Sequence, residues 1–328
     1  MGLRVLSVLV FTLLVSVLHV TSVSAAISVF ATGMHQPETI TQTVSGSFFV
    51  TDADNQGTIW NVSAGGGTAS SLAKAGYSLR GGLILPANFG SVGGQFLVVG
   101  LKGNGTAQAS TMDANFKVTR YASQADSIWT QPVLAPRFGA FGGGVLVTNQ
   151  GVDTVPGSVD VFRSSGEVGR LAPLSAVNTP FGADLAPSGF GDVGGTLLVS
   201  DAGGFSAVSG QPCSPTTIPC SGIYSVNPVG HVSLFTTIPL GAGQNGLRQI
   251  AFAPSGWGRC SGNLFVSVDN TDIDVVNSDG AVVGKISGMF SPRGLLFTTL
   301  SSGPSLLFSD ISTGRILRAG PGDVAPVC

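Results

Sequence analysis

Charge is what this chain has least of. Asp, Glu, Lys and Arg make up 10% of its 328 residues, and the net charge is −2. Without a basic stripe to displace counterions from phosphates, a nucleic-acid partner is excluded. Good helix formers are scarce too: Glu, Lys and Met are few, whereas Val, Thr, Ser and Gly abound. That balance argues against a helical domain. With only three histidines, a zinc site or a histidine-based catalyst has little to draw on. No serine stands in a Gly-x-Ser-x-Gly elbow, and "FGGG" and "AGGG" precede no helix that would make them phosphate cradles. Disorder is excluded as well, because the chain is 43% hydrophobic despite its 48 glycines.

Long apolar runs are limited to the start. Arg4 precedes a stretch from Val5 to Val20 interrupted only by Ser, Thr and His19, and "TSVSAA" follows. Val23 and Ala25 take the −3 and −1 positions of a cut before Ala26, so residues 1–25 read as an export signal. The run is shorter than the roughly 20 residues of a spanning helix, and a retained anchor is the alternative. Residues 26–328 are then expected to be exported, extracellular or periplasmic, and free of the membrane once the signal is removed.

What is present is a repeat. Six runs share one shape: "SFFVTD", "QFLVVG", "GVLVTN", "TLLVSD", "NLFVSV" and "SLLFSD". Counted from Phe48, Phe96, Val145, Leu197, Leu264 and Leu306, they recur at intervals of 48, 49, 52, 67 and 42 residues. Such a period with only strand signals inside it indicates a β-propeller. Within each repeat an inner strand such as "GADLAP" ends at a proline, and a glycine-aromatic turn follows ("SGFGDVGG"). The continuous apolar run is then a second strand buried on both faces. Third strands read "GTIWNV", "GSVDVF", "SGIYSV" and "GRILRA", and a fourth reads "HVSLFTT". "AISVFAT", Ala26 to Thr32, looks like a fourth strand, while the last repeat stops after its third. The expected fold is therefore all-β: a six-bladed propeller over 26–328, closed by the N-terminal strand of the mature chain.

Three segments carry a family likeness: "PETITQTVSGSFFVTDADNQGTIWNV", "PFGADLAPSGFGDVGGTLLVSD" and "PRGLLF…SLLFSDISTGRILRA". Through them nearly all of residues 26–328 resembles the six-bladed NHL-repeat and SMP-30/gluconolactonase-like propellers, and most of all their exported, function-unassigned branch. Four cysteines in an exported chain suggest two disulfides, with three pairings open. Cys213 and Cys220 lie seven apart in one Pro-rich loop, which favours local closure. That leaves Cys260, in the first turn of blade 5, and Cys328 at the end of blade 6, on the same face of adjacent blades.

Propellers bind ligands at the channel mouth where the inner strands begin. Aligning those starts gives one residue per blade: Glu38, Arg80, Thr130, Phe181, Arg248 and Arg293. Three arginines of eleven at one register position suit an anionic ligand held by bidentate hydrogen bonds; the alternative is that each packs its stem on the rim and bonds to loop carbonyls or a nearby Asp. The Cys213–Cys220 loop should lie on this face as a partial lid. The family resemblance implies a second function, a lactone hydrolase using a divalent metal (Ca²⁺ or Mg²⁺) held by Glu, Asn and Asp. Glu38 matches the Glu position, whereas Asn245 and Asp184 are out of register. Streptogramin-lyase propellers depend on a histidine; His35 and His231 follow the signal, and neither has a carboxylate partner in the pattern. Asp52, Asn149, Asp201 and Asp310 end second strands and are expected to make Asx turns. Asn61 and Asn104 lie in glycosylation sequons, informative only in a eukaryotic host. A secreted binding or scaffold propeller is the favoured function, a monomer with a small-molecule, glycan or peptide ligand. The metal-dependent hydrolase is the alternative.

Overall fold

The computed structural model describes residues 27–136, 141–152, 155–175, 177, 179–203, 221–240, 246–288, 291–326 and 328. The proposed signal, Cys213, Cys220 and Asn245 lie outside these residues. Among the described residues the regular elements are strands and four short 3-10 turns, with no α-helix. Six antiparallel sheets form the blades of a propeller, and each inner strand touches the next in a closed ring. From the channel outwards, blade 1 is Pro37–Gln42, Phe48–Asp52, Thr58–Val62 and Ser70–Lys74. Blade 2 is Ser78–Ile84, Phe96–Lys102, Thr106–Met112 and Val118–Gln124; blade 3 is Trp129–Leu134, Val145–Asn149, Ser158–Phe162 and Val168–Pro173. Blade 4 is Pro180–Leu185, Leu197–Asp201, Gly222–Val226 and Val232–Thr237; blade 5 is Leu247–Phe252, Leu264–Val268, Ile273–Val276 and Val282–Ile286. Blade 6 has Pro292–Leu300, Gly303–Asp310 and Arg315–Ala319.

Its fourth strand is the N-terminal Ser28–Thr32, paired antiparallel with Ser28 opposite Arg318 and Ala31 opposite Ile316. The ring therefore closes as the repeat count requires. This strand is not the outermost ribbon, however. Gly67–Thr68, from blade 1, adds in parallel beyond it and covers the edge. Gly66 makes that approach possible: a Cβ there would meet the Phe30 carbonyl oxygen at 2.2 Å.

The core lies between blades. Each of six apolar clusters straddles one blade interface. The second strands show why: alternate residues face opposite neighbours. Leu197 and Val199 pack with Leu146 and Val161 of blade 3, whereas Leu198 packs with Leu264 and Val266 of blade 5. Every residue of Leu197–Asp201 is buried, which accounts for an apolar run without alternation. Each such side chain contributes roughly 2 kcal/mol of burial. The aromatic of the glycine-aromatic turn is an anchor in the same cores. Phe89, Phe190 and Trp257 are buried, and each leads into a 3-10 turn. Gly191 follows at φ +51°, where a Cβ would meet the Ser278 carbonyl oxygen of the next blade at 2.6 Å. The motif thus inserts a ring between two blades while letting the neighbour's turn come close.

Cys260 and Cys328 form a disulfide, with Sγ atoms 2.13 Å apart. The tail that carries Cys328 runs beside the outer strand of blade 5, where Lys285 and Ala325 exchange backbone hydrogen bonds of 3.0 and 2.9 Å. The bridge therefore clamps blade 6 to blade 5.

Candidate functional site

The second strands of blades 3 to 6 each carry a hydroxyl one position before the Asx or Val that ends them. Thr148 donates to the Phe181 carbonyl (2.7 Å), Ser267 to that of Arg293 (3.0 Å) and Ser309 to that of Glu38 (2.7 Å), and Ser200 donates to the Arg248 carbonyl. Each bond tethers the rim residue of the next blade by its backbone and leaves the side chain free to turn inward. Every inner strand also shifts register at this point, as between Pro37 and Ile40 or Leu79 and Gly81. Such a bulge re-aims a side chain without ending the ladder. Glycine follows the rim residue in blades 2, 4 and 6, because adjacent inner strands nearly touch: a Cβ on Gly294 would meet the Glu38 carbonyl oxygen at 2.1 Å.

The six positions do not act alike. Arg80 Nη1 donates to Glu38 Oε1 at 2.9 Å, joining blades 2 and 1. Arg248 and Arg293 converge on one acid absent from the aligned set, Asp269. Its Oδ2 accepts from Arg248 Nη2 (2.7 Å), Arg248 Nε (3.2 Å) and Arg293 Nη2 (3.1 Å), and its Oδ1 accepts from the Ser291 hydroxyl (2.6 Å). The Arg248 guanidinium also lies 5.1 Å from the Phe181 ring centroid, within cation-π range. Thr130 takes no part: its buried hydroxyl bonds to the Phe181 carbonyl and the Thr148 hydroxyl.

The electrostatics tie these groups into one unit. Burial and the neighbouring Arg293 charge push the Arg248 pKa down, while Asp269 and Glu38 oppose that shift. Burial would raise Asp269, but Arg293, Arg248 and the Ser291 hydroxyl outweigh it and hold the carboxyl below its ordinary value. Among the described residues these three guanidiniums form ion pairs with two carboxylates, Glu38 and Asp269. Of the four buried polar side-chain atoms without a hydrogen-bond partner among the described residues, two belong to this unit: the acceptor Glu38 Oε2 and the donor Arg293 Nε.

The remaining candidates lie elsewhere. Asp184 is not at this mouth. It sits three residues beyond the rim register, about 10 Å further along the channel, and lines a cavity at the opposite end. His35 does have a carboxylate partner, contrary to the sequence reading: its Nδ1 is 3.4 Å from Asp54 Oδ2. A loop folding back placed them together, 19 positions apart, where strand periodicity gave no hint. With Asp52 these two are close enough to share a metal ion. Asp52, however, already accepts from the His35, Gln36 and Asp54 amides and the Trp60 indole. Asp54 is likewise engaged by the Thr58 amide and hydroxyl. The expected Asx turns are present at Asp52, Asn149, Asp201 and Asp310, each accepting the amide two residues on.

No protein-family model matches the chain, and no curated protein matches it by sequence. Solved propellers match it by shape. A PQQ-bound aldose sugar dehydrogenase from Streptomyces coelicolor is 13% identical over 89% of this chain and 97% of its own, with a TM-score of 0.57. A putative oxidoreductase (glucose dehydrogenase) from Thermus thermophilus is 14% identical over 89% and 99%, with a TM-score of 0.57. Virginiamycin B lyase from Staphylococcus aureus is 12% identical over 86% and 94%, with a TM-score of 0.53. These neighbours are β-propeller proteins, and at such identities the likeness is one of fold alone. No helix among the described residues is long and apolar enough to cross a membrane.

Proposed function

We propose that this protein is a secreted binding propeller whose channel mouth holds a small molecule through an anionic group. One observation carries the reading: Arg80, Arg248 and Arg293 gather at the mouth around Glu38 and Asp269, and their guanidinium donors offer a carboxylate or phosphate bidentate hydrogen bonds. The unpartnered Glu38 Oε2 and Arg293 Nε add a complementary demand, for a ligand donor such as a hydroxyl beside the acidic group. Arg80 is the most accessible of the three, its side chain 31% exposed, and would meet the ligand first.

A divalent ion held by Glu38 does not fit these residues. Glu38 Oε1 is taken by Arg80, and Arg248 and Arg293 raise the local potential. Asp184, the carboxylate a metal set would need, faces the other end of the channel. A thermal-shift series with phosphate, citrate and calcium tests the choice. The anions should raise the melting temperature and calcium should not, and Arg248→Ala should lose the anion-dependent rise. An unchanged rise in the variant, or stabilisation by calcium alone, would refute the anion site.

A further inference from the structure

The far end of the channel holds a second cavity. Gln249 Nε2 donates to Gln131 Oε1 across the channel between blades 5 and 3, and Gln249 Oε1 accepts from the Leu295 amide of blade 6. Beyond this crossbar the ends of all six inner strands line an open cavity of about 550 Å³. That lies inside the 300–1,000 Å³ range of small-molecule sites. Its wall includes the apolar side chains of Leu83, Val133, Leu185, Phe252, Leu296 and Phe297. Phe252 and Phe297 are held in place by edge contacts with Phe190 and Trp257, each at 4.8 Å between centroids. The wall is thus built and not merely collapsed.

Among the described residues one ionisable side chain lines this cavity: Asp184. The Leu185 amide donates to its Oδ1 (2.8 Å) and the Phe252 amide to its Oδ2 (3.1 Å), which fixes the carboxyl and leaves acceptor capacity towards the cavity. No ion pair among the described residues involves it. Nor, among the described residues of the strands packed against it, is another charge brought close. The inner strand of blade 5 has only Arg248, at its opposite end, and that of blade 3 has none. The ionisable member of the adjoining second strand, Asp201, is likewise at the far end, opposite Pro180. Burial raises the Asp184 pKa to about 6, and the two amides only partly offset that rise.

We propose that this cavity binds a small organic cation, a primary amine on an apolar body, with the ammonium on Asp184 and the body against the aliphatic and aromatic wall. A fixed carboxylate without a counter-charge is the polar group that orients the ligand, and apolar contact supplies most of the affinity. An anion would meet an uncompensated like charge, and a neutral analogue would leave the carboxylate unpaired. The two ends of the channel would then select ligands of opposite sign.

Calorimetric titration with 2-phenylethylammonium, 2-phenylethanol and 3-phenylpropanoate at pH 8 tests this on the intact protein. The amine should bind at least tenfold tighter than the alcohol, and the carboxylate should not bind measurably. Asp184→Asn should abolish the preference for the amine while keeping the alcohol's weaker binding. For the wild type, the cation binds the ionised carboxyl, so affinity is full above pH 6 and lost below it. At pH 5 only about one Asp184 in ten is ionised, which predicts a roughly tenfold loss of amine affinity and no change for the alcohol. This second measurement stands whether or not the variant folds. Equal affinities for amine and alcohol, no binding of either, or a preference independent of pH would overturn the proposal.

Discussion

Replacing Asp269 by Asn should weaken the fold and sharpen anion binding at once. Asp269 is 2% exposed and is the shared acceptor of Arg248 and Arg293. Removing its charge leaves two guanidiniums facing each other without an acid between them. Taking one partner from a buried ion pair costs about 3–5 kcal/mol. The lower end applies here, because the arginine side chains remain 16% and 13% exposed and water solvates them in part. About 3 kcal/mol should therefore be lost at pH 7 in anion-free buffer, read from urea unfolding. The sign with pH follows from the depressed carboxyl. Its contribution is complete above the ordinary Asp value of about 3.9 and disappears as the pH falls through the lower folded value. The gap between the two proteins should persist at pH 5 and narrow below pH 4. Phosphate or citrate should bind the variant more tightly, because its mouth carries one more net positive charge. At a hundredfold excess over the variant's dissociation constant the ligand adds about 2.7 kcal/mol to the variant, and the gap narrows by the amount by which this exceeds the smaller gain of wild type. A variant within 0.5 kcal/mol of wild type, or an identical anion effect on both, would refute the electrostatic account of the mouth.

Two further outcomes probe the scaffold. Cys328→Ser opens a loop spanning 68 residues and should cost about 4 kcal/mol on the chain-entropy scale, measured by urea midpoint; an unchanged midpoint would show that the Cys260 bridge does not secure the ring. Gly294→Ala forces a Cβ towards the Glu38 carbonyl oxygen, 2.1 Å away, so it should destabilise by about 1–3 kcal/mol and weaken anion binding by displacing Glu38. Wild-type anion affinity in a destabilised variant would separate packing from site geometry and count against the tethering of the rim.

Much of the architecture was legible because propeller blades repeat their chemistry locally. Apolar runs without alternation, such as "TLLVSD", require burial on both faces, and an unfinished last repeat requires a strand from elsewhere. The rim register was legible for the same reason, since the bulge falls at one position in every blade. Asp269 was not. The other acids end their second strands, whereas blade 5 has Val268 at that point and its acid comes one residue later. That offset was the available signal, and its meaning depended on Arg293 in the next blade reaching the same oxygen. Asp184 was legible as an acid near the channel but not by depth, because three residues along a strand separate one end of the channel from the other.

The amino-acid order by itself determined the strands, their sixfold recurrence, the closing partner and the cysteine at each end of the clamp. These follow from local periodicity and from the need to bury every apolar face. Tertiary structure alone decided which charges meet: Arg80 with Glu38, Arg248 and Arg293 with Asp269, and Asp184 with none among the described residues. Side chains from different blades converge on the axis at distances that no spacing along the chain encodes, and electrostatic energy varies with those distances and with burial.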